Sequence, residues 1–339
     1  FRLWDVATGQ MSALHENHHP GGPAIAFLPG GQAVYGREMD GAYVLMDVRT
    51  GRAICTFKGH TRAVDVADFS PDGRWLLTRS SGETARVWDT TTGQETQHWA
   101  VGELKTSLEW IYVGDLISPD GQQAFTWDTA GYVQAWDVRT GRSRRSFRHP
   151  QERLRPLALS SDGQLLVTLT PSATLRLWDT SSGREGAALA CSDCGPFARF
   201  SPDGKRLAAI AANQAVRVWD VAARRERPIL HGHTNEVLCL DWSPDSRYLV
   251  SGGADNLAIL WDGETGQPVR QFRCKTRLDW TLFSADGKQL LTEGNDSVAL
   301  WDVATGQLIA QYEYAQEVGR GPVLSAVFSP DGRQIATTT

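Results

Sequence analysis

The dipeptide Trp-Asp recurs along this chain at a nearly fixed interval, and that recurrence limits the possible folds more than any other feature. It stands at Trp4, Trp88, Trp136, Trp178, Trp219, Trp261 and Trp301, and Met46-Asp47 fills the one vacant slot. The first and last are 297 residues and seven steps apart, about 42 residues per step. A unit of that size cannot bury its own apolar face and must stack on its neighbours. A second marker, a turn, keeps the same interval. It reads Phe-Ser-Pro-Asp-Gly at 69–73, 200–204 and 328–332, with variants at 28–31, 117–121, 160–163, 243–246 and 284–287. Eight turns therefore meet eight Trp-Asp slots.

The text between the markers reads as strands. Residues 84–88, 174–178 and 215–219 alternate small or apolar residues with Arg, the period-two pattern of a half-buried strand. Pro-Asp-Gly makes a tight hairpin turn, because Pro presets φ and Gly accepts a positive φ. A second hairpin turn follows most Trp-Asp pairs, as at Thr8-Gly9-Gln10 and Thr140-Gly141-Arg142. Each unit is thus predicted to be four short antiparallel strands, and no segment carries a helical period.

Composition narrows the function classes. The net charge of -5 and pI of about 5.9 argue against a nucleic-acid binder, which presents a basic face. No apolar run approaches the length of a membrane span, so neither nucleic acid nor membrane insertion is expected. Phe1 is not an initiator Met and no signal segment follows, so the chain is expected to be a piece of a longer polypeptide. The five cysteines, Cys55, Cys191, Cys194, Cys239 and Cys274, are too sparse and irregular for a disulfide framework and point to a reducing cytoplasm. Only five of the 34 basic residues are Lys, which suggests a GC-rich bacterial genome.

The Trp-Asp pairs, the Ser-Pro-Asp-Gly turns and the Thr-Gly-Gln turns together resemble the WD40-repeat β-propeller family, in wording close to its bacterial members, and the resemblance covers the whole chain. It implies an all-β, eight-bladed β-propeller with four antiparallel strands, a to d, in each blade. In that register residues 1–339 form one domain. The chain begins in strand c and ends in strand b, so the closing blade combines residues 1–14 with 323–339, and the ring closes by pairing N-terminal c–d strands with C-terminal a–b strands. The family also ties blades with a buried tetrad of His, Ser or Thr, Asp and Trp. One blade matches throughout, with His233, Ser251, Asp255 and Trp261, and these residues are expected to be structural. Elsewhere the match is partial (His60, Thr78 and Trp88, with Gly82 in the Asp slot), so most blades are expected to rely on packing.

Several motifs invite a chemical reading. His15-Glu16-Asn17-His18-His19 has the spacing of a zinc-hydrolase helix, but the repeat register puts His15 at a packed strand position, and Pro20 and Pro23 bar a helix. Cys191-Ser192-Asp193-Cys194 lacks a second pair of zinc ligands and the strand-to-helix setting of a redox motif, so it reads as two loop thiols. Asn295-Asp296-Ser297 fits a short glycosylation sequon that arises easily by chance. Asp65, Asp68, Asp241 and Asp279 fall in strands a and read as channel wall. No catalytic residue, metal or cofactor is expected.

Two function classes remain. The first is a non-catalytic protein–protein interaction scaffold, with protein or peptide partners on the top face of a monomeric ring. The alternative is a propeller-mouth enzyme or small-ligand sensor related to TolB-like or peptidase-associated propellers. Seven Trp-Asp pairs favour the first. Surplus length in the d–a connections, at about 100–110 and 313–321, falls on one face. The candidate partner-binding residues are Arg62, Trp110, Asn235, Glu236, Tyr314 and Arg320, Trp and Arg being favoured at binding hot spots. In bacteria, members of this family are often fused to signalling domains.

Overall fold

The computed structural model describes residues 2–14, 25–28, 33–36, 42–47, 50, 52–61, 64–70, 72–80, 84–100, 117–127, 131–150, 152–294, 297–313 and 325–338. Among them there are strands and turns and no helix, and so no helix long and apolar enough to cross a membrane. The strands form eight separate antiparallel sheets. The sequence-predicted strands are found at Thr84–Asp89, Leu175–Asp179 and Ala215–Asp220.

The sheet spanning 237–273 shows the common plan. Val237–Trp242, Tyr248–Gly253, Leu257–Asp262 and Pro268–Arg273 pair in that order. The sheets spanning 25–57, 64–100, 155–189 and 278–313 repeat it. Among the described residues the 123–147 sheet has three strands, and an isolated bridge joins Ile117 to Ala124. The fourth strand of the 194–231 sheet is split into Arg225–Glu226 and Leu230–His231, each pairing with Ala215–Asp220. Pro228 lies in the gap; with no N–H to give, it cannot continue the ladder. The remaining sheet joins the two ends of the chain. Arg2–Asp5 pairs with Met11–Leu14 on one side and with Gln334–Thr338 on the other, and Ser325–Phe328 completes it.

These sheets fall into two compact units. One comprises Phe1–Trp110, Asp115–Arg155 and Leu324–Thr339; the other comprises Ile111–Gly114 and Pro156–Val323. In the first, Leu28, Tyr43, Leu45 and Phe57 pack on Leu76 and Trp88 of the following sheet. In the second, each core also forms between consecutive sheets: Val216, Val218 and Leu230 meet Leu240, Trp242 and Trp261, which in turn belong to the sheet whose Val250, Leu260 and Phe272 meet Phe283, Leu290 and Trp301. Burying several large apolar side chains per junction, at roughly 1.5–3 kcal/mol each, is what holds sheets of this size.

Both hairpin turns are fixed by acidic side chains. In the first, the Ser hydroxyl donates to the Asp carboxylate two residues on, at 2.6 Å in Ser160–Asp162, Ser201–Asp203 and Ser243–Asp245. Gly204 closes its turn at φ +69°, where a side chain would be strained. Ser246 takes the equivalent place at φ +62°. Its Oγ accepts the Asp203 N–H at 3.0 Å and its carbonyl accepts from Arg206, which offsets that strain. In the second turn the Asp of each Trp-Asp or Met-Asp pair accepts the N–H three residues later, from Asp5–Thr8 at 2.8 Å through Asp302–Thr305 at 2.7 Å. All eight sheets share this bond. The repeated Asp is therefore a turn-maker.

Candidate interaction site

The connection from His231 to Val237 leads from the fourth strand of one sheet to the first strand of the next, and a buried network fixes it. Trp261 Nε1–H donates to Ser251 Oγ at 2.8 Å. Ser251 Oγ lies 2.8 Å from His233 Nε2, and His233 Nδ1 lies 3.0 Å from both Asp255 oxygens. A carboxylate can only accept, so Nδ1 carries a proton, while Nε2 and the Ser251 hydroxyl share the second bond. Burial alone would raise the Asp255 pKa, but the Thr234 N–H at 2.8 Å and His233 hold it below the usual carboxylate range. The four residues expected to form a tetrad are thus brought together, and the network carries no open position for a reacting group.

The same network sets the backbone of the connection. Thr234 N–H is held by Asp255, Glu236 N–H by the Asn235 side chain at 2.8 Å, and the Glu236 carbonyl by Ala254 N–H at 2.8 Å. The side chains of Thr234, Asn235 and Glu236 are exposed, while His233 beneath them is 7% exposed. Of the candidate partner-binding residues, Asn235 and Glu236 therefore sit on a braced, outward-facing connection. Arg62, Trp110, Tyr314 and Arg320 lie outside the described residues, as do His15 to His19, Gly82, Asn295 and Asp296. The side chains of Asp65 and Asp68 are likewise outside them.

Half of the network extends well beyond one sheet. Trp4, Trp88, Trp136, Trp178 and Trp301 each donate Nε1–H to a threonine hydroxyl on the adjacent strand, at 2.7–2.9 Å. These bonds add to the packing on which most sheets were expected to rely. A search for all four matching residues gives little weight to a pair that works without the others. His60 extends the Trp88 pair, its Nε2 lying 2.7 Å from Thr78 Oγ1.

The slot ten residues before the turn serine holds His60 and His233 in two sheets, and Cys191 and Cys274 in two others. Cys274 donates its S–H to Thr292 Oγ1 at 3.5 Å, and Trp301 donates to the same oxygen. The thiol takes the histidine's position; burial pushes it up to about 11, so it stays protonated. The sequence signal was available in the constant offset from Ser201, Ser243 and Ser284, and was hidden by the change of residue type.

Cys191 and Cys194 are bonded to each other as a disulfide, with Cα atoms 5.4 Å apart. This corrects the reading of them as two separate loop thiols. Cys194 opens the strand Cys194–Phe200, three residues after Cys191 on the connection that leads into it. Asp193 adds a third ligand-type atom within 4.8 Å. Its carboxylate, however, is engaged by Arg217 Nη1 at 2.5 Å, which places a cation beside both groups. Arg217 in turn is held bidentately by Glu226, at 2.5 and 3.0 Å.

Three further charged groups sit on first strands of the second unit, Arg199, Asp241 and Asp279. The Arg199 guanidinium lies over the rings of Phe197 and Trp280. Burial raises the Asp241 carboxyl to about 6, although Asp241 accepts the Phe283 N–H at 2.8 Å and feels Arg199. Asp279 pairs with Arg277 at 2.8 Å.

Comparison with known proteins bears on this geometry. Residues 51–89 and 225–262 match the family model described as WD domain, G-beta repeat. In both of these repeats the slot before the turn holds histidine, His60 and His233. A guanine nucleotide-binding protein subunit beta from Oryza sativa subsp. japonica is 27% identical over 195 residues, 54% of this chain and 51% of that protein. WD repeat-containing protein 1 of Xenopus tropicalis is 35% identical over 91 residues, 25% of this chain and 15% of that protein. Apoptotic protease-activating factor 1 of Rattus norvegicus is 23% identical over 278 residues, 79% of this chain and 18% of that protein. The chain thus spans about half the length of the rice relative and less of the other two. The fold is similar to that of the C-terminal WD40 domain of Sif2, with a TM-score of 0.75 at 17% identity over 90% of this chain and 89% of that one. These relatives are from plants and animals, and the bacterial wording read from the turns has no counterpart among them.

Proposed function

We propose that the chain is a non-catalytic protein-interaction scaffold in which residues 1–339 form one closed, eight-bladed propeller. The blade that combines both termini closes it. Partners, proteins or extended peptides, bind the face formed by the fourth-to-first connections, through Arg62, Trp110, Asn235, Glu236, Tyr314 and Arg320. The ring works as a monomer in the cytoplasm and needs no metal or cofactor, and it binds neither nucleic acid nor membrane.

The observation that carries this reading is the braced connection at 233–236. A buried four-residue network holds a short backbone segment still, while the side chains of Thr234, Asn235 and Glu236 are exposed. Rigid presentation lowers the ordering cost of binding, and loops on a rigid scaffold are where recognition residues concentrate. The repeat matches and the WD40 relatives support the same class.

The test is co-purification with the tagged chain from its own cells, comparing the parent with Asn235→Ala/Glu236→Ala and with Arg62→Ala/Trp110→Ala. Both double variants are expected to melt like the parent and to lose partners that the parent retains. Retention of every partner at parental levels by both variants would overturn the proposal.

A further inference from the structure

The sheet spanning 194–231 has lost the network that braces its neighbour. Where the 237–273 sheet has His233, Ser251 and Asp255, this sheet has Cys191, Ala209 and Asn213. Ala209 offers Trp219 no hydroxyl, and no histidine reaches down from the connection. The connection at 190–193 nevertheless ends in an ordered way: Asp193 C=O accepts the Ala212 N–H at 2.7 Å, and Cys194 pairs with Ala211. What holds it is the Cys191–Cys194 disulfide and Arg217.

We propose that Cys191 and Cys194 form a reversible thiol–disulfide exchange site, and that the disulfide is the clasp which replaces the histidine network in this sheet. The reactant is a small thiol or dithiol. The Arg217 guanidinium lies 3.4 Å from Cys191 Sγ and is kept there by Glu226 and Asp193. A cation at that distance favours the Cys191 thiolate, so Cys191 is the better leaving group. Both residues are buried, Cys194 at 7% exposure and Cys191 at 2%, so the reagent reaches Cys194 with less opening of the connection. A reagent thiolate therefore attacks Cys194 Sγ. The Cys191–Cys194 bond breaks, the electron pair leaves on Cys191, and a mixed disulfide forms at Cys194. The second thiolate of a dithiol, or a second molecule of a monothiol, then attacks the reagent-derived sulfur of that mixed disulfide and releases Cys194. Two electrons pass to the protein, two protons follow, and the reagent leaves as its disulfide.

The consequence is local. The bond closes a ring of only four residues, and short loops contribute least to global stability through chain entropy. Reduction therefore leaves the sheets folded and loosens the connection. Asp193 stands eight residues before its turn serine, the position that Asn235 occupies one sheet later. On the binding reading above, on which this last point alone rests, the clasp sets how rigidly that position is offered to a partner.

Cysteine trapping on the full chain tests the chemistry without any partner. Samples equilibrated in reduced and oxidised dithiothreitol are denatured in iodoacetamide and weighed intact. Cys55, Cys239 and Cys274 are free, so three alkyl groups are expected at the oxidised end and five at the reduced end, in one joint transition mapped to Cys191 and Cys194. Arg217→Gln is expected to slow exchange several-fold. Hydrogen exchange then reads the clasp. Ala212 is expected to exchange at least about tenfold faster after reduction, while Ala254, which is tied to Glu236 in the next sheet, does not change. Five alkyl groups under all conditions, a disulfide that survives excess reductant in the native state, an unchanged rate in Arg217→Gln, or equal Ala212 exchange in both states would each overturn the proposal.

Discussion

His233 is buried beside a carboxylate and Asp241 is half-buried beside a backbone donor, and the fold uses them in opposite ways. His233 sits between Ser251 and Asp255 and bonds to both. His233→Ala removes one bond from each, leaving Ser251 with Trp261 and Asp255 with the Thr234 N–H, and losing buried hydrogen bonds costs about 1–3 kcal/mol. Denaturant melting checks this; a variant that melts like the parent but loses partner binding would make His233 a binding residue instead. Asp241 is held at a cost. Its folded pKa of about 6 lies above the value of an unfolded aspartate, so the fold prefers the protonated acid. The stability linked to Asp241 is therefore complete below about pH 4 and declines as pH rises through 6. Asp241→Asn removes that dependence. Its melting temperature relative to the parent is expected to be clearly higher at pH 7.5, with the advantage shrinking toward pH 4.5. A constant offset across that range would refute the assignment.

The strand and its hairpins were the most legible level in the sequence. Period-two alternation located the third strands, and the two turn signatures located the hairpins, because both depend on local backbone chemistry. The Asp after each Trp was legible as a marker but not as a mechanism; only coordinates show that its carboxylate holds the hairpin. Arg144 and the Thr140 N–H lower Asp137 to about 2 against the cost of burial. A depressed folded pKa gives stability that is present above pH 4 and lost as pH falls toward 2. Asp137→Asn is accordingly expected to flatten the acid limb of the stability curve, as read by thermal melts between pH 2 and 5. What escaped the sequence was substitution within a slot: Cys274 doing the work of histidine, and Cys191 bonded to its neighbour. A pattern search keyed to residue type does not see a position whose geometry is kept while its chemistry changes. At the termini, Arg2–Asp5 covers the edge of Gln334–Thr338. Deleting residues 1–14 uncovers that row of backbone donors and acceptors, and bare edges recruit other strands. Size-exclusion chromatography is expected to show association of the truncated chain; a monodisperse monomer at high concentration would contradict this.

At the scale of the molecule, eight turn signatures, eight Trp or Met slots and eight sheets agree, and the sheet that joins both ends has two strands from each. The candidate binding residues were much less legible than the fold. A repeat leaves a periodic trace in sequence, whereas a partner selects side chains on connections one at a time, and only Asn235 and Glu236 could be set in a described geometry. The scaffold reading depends on the sheets forming one closed ring that carries those connections on a common face. A density map of the purified 339-residue chain tests this most directly. The account predicts eight blades around one axis, with Arg2–Asp5 and Gln334–Thr338 paired in the same blade; seven blades, or terminal strands in separate blades, would contradict it.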